Sequence, residues 1–156
     1  MAEHVLVLIK PDGMVKNLMG PVLTRFFQLD LNLAAVKLLS VSLQKAEKHY
    51  CHLKGKPFYD QLINFITGKF HGQNKVLALV YSGKGAIRKC RELAGHTNPE
   101  EADYDTIRGA FGRVTTKGVF ENVIHVSSDP KEAEREIKLW FDPDEILQDD
   151  PSAAQQ

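Results

Sequence analysis

Cysteine is scarce in this 156-residue chain: only Cys51 and Cys90 occur, far apart and without metal-ligand spacing, which argues against a disulfide framework or a zinc site and for a reducing compartment. An excess of charge of either sign is also missing. Twenty Lys and Arg balance 20 Asp and Glu, so the whole molecule offers no electrostatic footprint for a nucleic-acid backbone or an anionic membrane, and any anion site must be local. Long apolar runs are absent too; the first, Val5 to Ile9, follows an early acid at Glu3 and is too short for a signal peptide or a membrane span, which predicts a cytoplasmic protein. There is no internal repeat, no Gly-x-x-x-x-Gly-Lys phosphate loop and no dinucleotide fingerprint. What is present, 43% apolar and 26% charged residues, is enough for one globular domain over 1–147 to bury a core unaided. Residues 148–156, acidic and rich in Ala and Gln, read as a flexible C-terminal tail.

The order of elements follows from periodicity and punctuation. Val5 to Ile9 reads as a buried strand that runs into a loop at Lys10-Pro11-Asp12-Gly13. Pro21 suits a first helical position, and Val22, Leu23, Phe26 and Phe27 follow at helical spacing up to about Asp30. Leu33 to Val41 reads as a strand, Gln44 to His52 and Phe58 to Ile66 as helices, Val76 to Tyr81 as a strand and Gly83 to Ala94 as a helix. Gly95 to Lys117 lacks a sustained period and reads as the longest loop, of the kind that often carries function. Asn122 to His125 is a short strand, after which Asp129-Pro130 with Glu132 opens a helix whose apolar stripe is Ala133, Ile137 and Trp140. This succession fits an α+β fold, a ferredoxin-like βαββαβ sandwich with a four-stranded antiparallel sheet covered by helices; a doubly wound parallel sheet is the competing topology.

Of the six histidines, His125 stands where a short apolar strand stops before a capped helix, so rigid backbone would hold its imidazole beside a polar mouth. Glu136 falls about 60° from Ala133 and about 40° from Trp140 on that helix, where its carboxylate can point inward. A carboxylate bonded to one imidazole nitrogen leaves the other free to attack phosphorus. The alternative is a surface Glu paired with Lys131 or Lys138. Lys10, Arg91, Thr97 and Arg108 lie at or near element ends and supply the charge and donors that phosphate requires, though spacing does not show that they converge. His49 and His52, three apart, have a metal-compatible spacing but no third ligand at a recognisable offset. Phe58, after Pro57, can offer a ring face to a base or serve the core.

Seven stretches, in order, carry a resemblance that extends from Val5 to about Ile146: Ile9-Lys10-Pro11-Asp12-Gly13, His49-Tyr50, Lys56-Pro57-Phe58, Gly95-His96-Thr97-Asn98-Pro99, Thr106-Ile107-Arg108-Gly109, Asn122-Val123-Ile124-His125, and Glu134-Arg135-Glu136-Ile137 with Trp140-Phe141. In these the chain resembles the nucleoside diphosphate kinases. The resemblance implies transfer of the γ-phosphate of a nucleoside triphosphate to a nucleoside diphosphate, in two half-reactions through a phosphohistidine on His125. It further implies that Glu136 orients the nucleophile, with Ser127 close to the same ring and Tyr50 beside the phosphoryl group. Lys10, Arg91, Thr97 and Arg108 match phosphate ligands, Asn122 and Lys10 match sugar contacts, and Phe58, with Leu62 nearby, matches the ring stacked on the base. Stacking without base-edge readout implies broad use of ATP, ADP, GTP, GDP and other nucleotides. Mg2+ is expected on the nucleotide phosphates rather than on a protein metal site, and a homo-oligomer, hexamer or tetramer built from a shared dimer, is expected with no requirement for membrane or nucleic acid.

Several positions depart from that pattern. Asp105 stands for a usual glycine, Ala110 for a usual aspartate, Val126 for a small residue, and Ser128-Asp129 reverses the usual order of acid and serine. The segments 67–74 and 109–121 are longer than in most relatives, leaving either Val114 or Val119 to cover the second face of the base. A nucleotide-binding module without turnover, or a ferredoxin-like interaction protein with no nucleotide site, are the readings to test against the enzyme.

Overall fold

The computed structural model of the chain describes residues 2–148. The tail expected over 148–156 therefore lies outside the described residues, apart from Gln148. Strand β1 (Glu3–Ile9) is the centre of the fold, and its uninterrupted apolar run is explained by burial on both faces. Val5, Val7 and Ile9 point into one cluster, with Val22 and Phe26 of helix α2 (Met19–Phe27) and Ala86, Ile87, Cys90 and Ala94 of helix α5 (Ala86–Ala94). Leu6 and Leu8 point into the other, with Ala46 of α3 (Leu43–His49), Ile63 and Ile66 of α4 (Tyr59–Ile66), and Ile137 and Trp140 of α7 (Pro130–Trp140).

Strands β2 (Asn32–Ser40), β3 (Lys75–Gly83) and β6 (Ile124–Val126) complete the sheet in the order β2-β3-β1-β6, and every pairing is antiparallel. That is the ferredoxin-like arrangement expected from the sequence, and it excludes the parallel alternative. Its consequence for the site is the register of the last pairing: Leu8 stands opposite His125. The shortest strand of this sheet is thus fixed by one of its two central strands.

Several segments differ from expectation; the strand expected over Asn122 to His125 runs instead over Ile124–Val126, which puts His125 at its middle. Pro11, taken as a loop signal, instead occupies the first turn of a short helix α1 (Pro11–Val15), where its missing N–H is no loss. The stretch 95–117 holds a 3-10 turn (Pro99–Glu101), a helix α6 (Ile107–Phe111) capped by the Thr106 hydroxyl, and strand β4 (Arg113–Val114), which pairs with β5 (Phe120–Glu121) as a hairpin. Elements of two to five residues are too short to show a period, so the sequence conceals them.

Candidate active site

The path into the site starts at a strained turn. Ile124 N–H donates to Asn122 O at 2.8 Å, closing a three-residue turn around Val123, whose φ of 72° is a left-handed value that a β-branched residue rarely adopts. Such a conformation costs about 1–3 kcal/mol and persists where its surroundings over-determine it. Here Asp12 Oδ2 accepts the Val123 N–H at 2.9 Å, and Lys10 N–H donates to Val123 O at 2.9 Å. Gly13 completes the seat: a Cβ there would lie 2.9 Å from Ile9 Cγ2 and 3.1 Å from Val123 Cγ1. Asp12 is fully buried, and sequence reasoning missed this role because a lone acid in a Pro-Gly stretch reads as turn chemistry.

One residue beyond the turn, His125 Nε2 lies 3.0 Å from Glu136 Oε1. Burial alone would push the Glu136 carboxyl up, but the His125 and His49 rings and the Ser127 hydroxyl outweigh it and hold the group at about 2. An ionised carboxylate only accepts, so His125 carries its proton on Nε2 and Nδ1 retains a lone pair. Ser127 Oγ donates to Glu136 Oε2 at 2.6 Å and accepts from Leu6 N–H at 3.1 Å, which ties the carboxylate to the central strand. Asp129 caps α7 through Glu132 N–H at 2.9 Å, so the helix bearing Glu136 begins at a fixed point. Ser128 donates to that same Asp129 side chain at 2.9 Å.

His49 is a further neighbour, which the sequence offers as half of a metal pair and as part of the His49-Tyr50 stretch, with no role of its own at the site. Its ring stands edge-on to His125 with centroids 4.6 Å apart, while His52 instead lies 3.8 Å from Glu132. His49, His125 and Glu136 are the one group among the described residues with metal-ligand proximity. However, Trp140 Nε1–H donates to His49 Nδ1 at 3.1 Å, which leaves the proton on Nε2 and no lone pair for a metal. Burial and the adjacent His125 hold this imidazole well below its usual value, so it stays neutral.

A cleft of about 620 Å³ opens over the His125 ring. Lys10, Tyr50, Phe58, Leu62, Arg91, Thr97, Arg108, Asn122, His125 and Glu136 all line it, so the structure brings together every sequence-predicted residue except Ser127, which acts from behind through Glu136. Val119 lines the same cleft and Val114 does not. Arg108 is locked by donation to Gly95 O at 3.0 Å and Ile124 O at 2.9 Å. Burial and the charge of Arg91 bring its guanidinium down to about 10. Burial likewise lowers Lys10 to about 8; its ammonium donates to Asn122 Oδ1 and sits 4.6 Å over the Phe65 ring. Asn122 Nδ2 in turn donates to Thr97 O at 2.9 Å. The described ion pairs give neither Arg91 nor Arg108 a carboxylate partner. Lys10 and Arg108, held by neutral groups, with Arg91 beside them, form a receptor for an anion. Tyr50 is pushed above the usual phenol value by burial and by Glu136, so it serves as a neutral wall.

Phe58 is 46% exposed on the rim, too open to be a core residue and well placed as an apolar platform. The cleft thus brings cations and the His125 imidazole together with the apolar groups of Phe58, Leu62 and Val119, a combination that suits a molecule with a flat ring and a polyphosphate.

Residues 3–146 match the family model of nucleoside diphosphate kinase. The chain is 43% identical over 148 residues to the nucleoside diphosphate kinase of Bacillus licheniformis, covering 95% of this chain and 94% of that one. It is 38% identical over 146 residues to that of Thermococcus kodakarensis, covering 94% and 80%. Among solved structures, the Halobacterium salinarum nucleoside diphosphate kinase in complex with CDP superposes with a TM-score of 0.86 at 35% identity, covering 99% of this chain and 97% of that one. The Borrelia burgdorferi enzyme, a transition-state mimic with bound vanadate and ADP, gives 0.87 at 32%, covering 98% and 95%. With the ferredoxin-like sheet, the oriented histidine and the cationic cleft, these likenesses leave one assignment: the chain belongs to the nucleoside diphosphate kinase family.

Proposed function

We propose that the family's phosphoryl transfer runs in this chain through Nδ1 of His125. The observation that carries this reading is the His125–Glu136–Ser127 chain, which fixes the tautomer with its lone pair on the nitrogen needed for attack. In the first half-reaction Nδ1 bonds to the γ-phosphorus of a nucleoside triphosphate as the bond to the bridging oxygen breaks, and the diphosphate leaves. In the second, the terminal oxygen of another diphosphate takes the phosphoryl group and His125 is regenerated. As the His125 ring gains positive charge on bonding to phosphorus, the ionised Glu136 stabilises it across the Nε2–H bond. Lys10, Arg91, Thr97 and Arg108 neutralise and orient the phosphates, whose charge spreads over the equatorial oxygens at the transition state. Asn122 with Lys10 meets the sugar, and Phe58 and Val119 hold the base without reading its edge, which accounts for broad use of nucleoside di- and triphosphates.

The cleft fits Mg2+ arriving with the nucleotide. Its lining includes cations and hydroxyls, and Glu136 is already committed to His125 and Ser127. When bound to the phosphates, Mg2+ would supply further charge neutralisation. Val36 and Leu38, exposed at 53% and 57% on the edge strand β2, support assembly with further copies of the chain, as the family resemblance implies. A cytoplasmic location is part of the same proposal; no helix among the described residues is long and apolar enough to cross a membrane. The test is transfer from ATP to a diphosphate bearing a different base: wild type should make the second triphosphate, and His125→Ala should not. Binding without turnover by wild type would instead favour a nucleotide-binding module.

A further inference from the structure

One buried acid beside the cleft has no part in the chemistry above. Glu121 is 5% exposed, and it precedes Asn122. Its carboxylate collects donors from three separate segments: Nζ of Lys16 at 2.9 Å, just past α1; Nε2 of His71 at 2.9 Å, from the segment 67–74; and Nε of Arg113, in β4. Burial alone would raise this carboxyl, but the hydrogen bonds from Arg113, Lys16 and His71 hold it at about 2. It therefore remains a charged acceptor throughout the neutral range.

The position of this cluster links it to the cleft by two routes, both ending at Lys10. Along the chain, Asn122 is the next residue and its Oδ1 accepts from the Lys10 ammonium. Through space, the His71 ring stands edge-on to Phe65 with centroids 5.0 Å apart, and the face of Phe65 carries the same ammonium. Gln73 Nε2 adds a tie from the same segment to Pro11 O at 3.3 Å. On the other side of Glu121, Val119 and Phe120 line the cleft.

We propose that Glu121 is a positioning residue for nucleotide binding: by gathering Lys16, His71 and Arg113 it joins the segment 67–74 to the β4–β5 hairpin, and so sets the Lys10–Asn122 pair and the Val119 wall against a nucleoside diphosphate. This rests on the nucleotide reading of the cleft. Because Glu121 touches no reacting atom, its loss falls on affinity and not on the chemical step. Lys16 and Arg113 have side chains 31% and 64% exposed, so removing the acid returns them to water without stranding a buried charge.

The experiment compares wild type, Glu121→Gln, His71→Phe and the double variant, by steady-state transfer with a varied diphosphate and by calorimetric titration with ADP. His71→Phe keeps a ring against Phe65 and removes only the hydrogen bond. KM and the ADP Kd should each rise by about fivefold in either single variant, roughly 1 kcal/mol of binding, with kcat within about twofold. The double variant should be no worse than the weaker single one, since both break one unit. Unchanged KM and Kd with only a lowered Tm would make the cluster merely structural and overturn the proposal, as would a fall in kcat at constant KM. Should Glu121→Gln fail to fold, His71→Phe decides alone. Wild type that binds ADP without transferring phosphate would fail the kinase reading, while the titrations would still decide this one.

Discussion

Replacing Glu136 with Gln tests the geometry at its most sensitive point. The carboxylate accepts two hydrogen bonds, from His125 Nε2–H at 3.0 Å and from Ser127 Oγ–H at 2.6 Å, and an amide has one oxygen with which to replace both. If that oxygen keeps Ser127, the NH2 faces His125 and drives the imidazole proton to Nδ1, which removes the nucleophilic lone pair. If it keeps His125, the NH2 turns to Ser127, whose hydroxyl can redirect to Leu6 O at 3.4 Å, and only the negative charge behind the ring is lost. A wrong tautomer costs about 10⁴ in kcat in a comparable triad, and loss of one preorganised electrostatic partner about 10²–10³. We expect kcat to fall by about 10²–10⁴, or about 2.7–5.4 kcal/mol of transition-state stabilisation. Glu136 is not among the side chains assigned to the phosphates, so the ADP Kd should stay within about twofold. Rapid-quench measurement of protein phosphorylation from ATP, beside ADP calorimetry, separates the two quantities. A fall in rate below about fivefold, or a loss of affinity that accounts for the whole effect, would refute the orienting role.

Gly13→Ala should destabilise the fold by about 1–3 kcal/mol, read as a lower Tm, because the new Cβ would press on Ile9 and Val123 at 2.9 and 3.1 Å. Lys10, lowered to about 8 by burial, is charged below that pH and neutral above it. Phosphate binding favours the charged form, so ADP binding should take up a proton near pH 9 and almost none near pH 6.5. Calorimetry in buffers of different ionisation enthalpy reads that uptake. Glu121 and Glu136 are both held at about 2 against an ordinary value of 4.5. A depressed folded value contributes stability that is present above the ordinary one and lost as the pH falls through the folded one. Chemical denaturation should accordingly show stability declining from about pH 4.5 to about pH 2, more steeply for wild type than for Glu121→Gln.

His125 and Glu136 were legible in the sequence because each depends on local rules: the histidine on a short strand before a capped helix, although it stands mid-strand and not at the strand's end, the acid on helical angle and on the Asp129 cap that sets where the helix starts. The succession of strands and helices was legible for a similar reason, since apolar runs of strand length alternate with helical periods, but that alternation also admits a parallel sheet, and only the strand pairings decide between the two. Other features depend on contacts that no sequence spacing announces, from 8 to 111 residues apart. Nothing local in Asp12 announces that it steadies Val123, and nothing in Glu121 announces Lys16, His71 and Arg113. The helix at Pro11 escaped because proline at a first turn and proline in a loop look alike without the residues that follow. His49 and His52 share a helical spacing, but the tertiary fold sends only the first to His125, and Trp140 then fixes its proton.

The central claim is that Nδ1 of His125 carries the transferred group. It is tested most directly by phosphorylating the protein with ATP and Mg2+, mapping the acid-labile, base-stable phosphate by peptide mass spectrometry, and identifying the bonded nitrogen by 31P and 15N NMR. The account predicts a single phosphohistidine at position 125, bonded through Nδ1 and absent from His125→Ala. Phosphate on Nε2, on another residue, or surviving that substitution would contradict it.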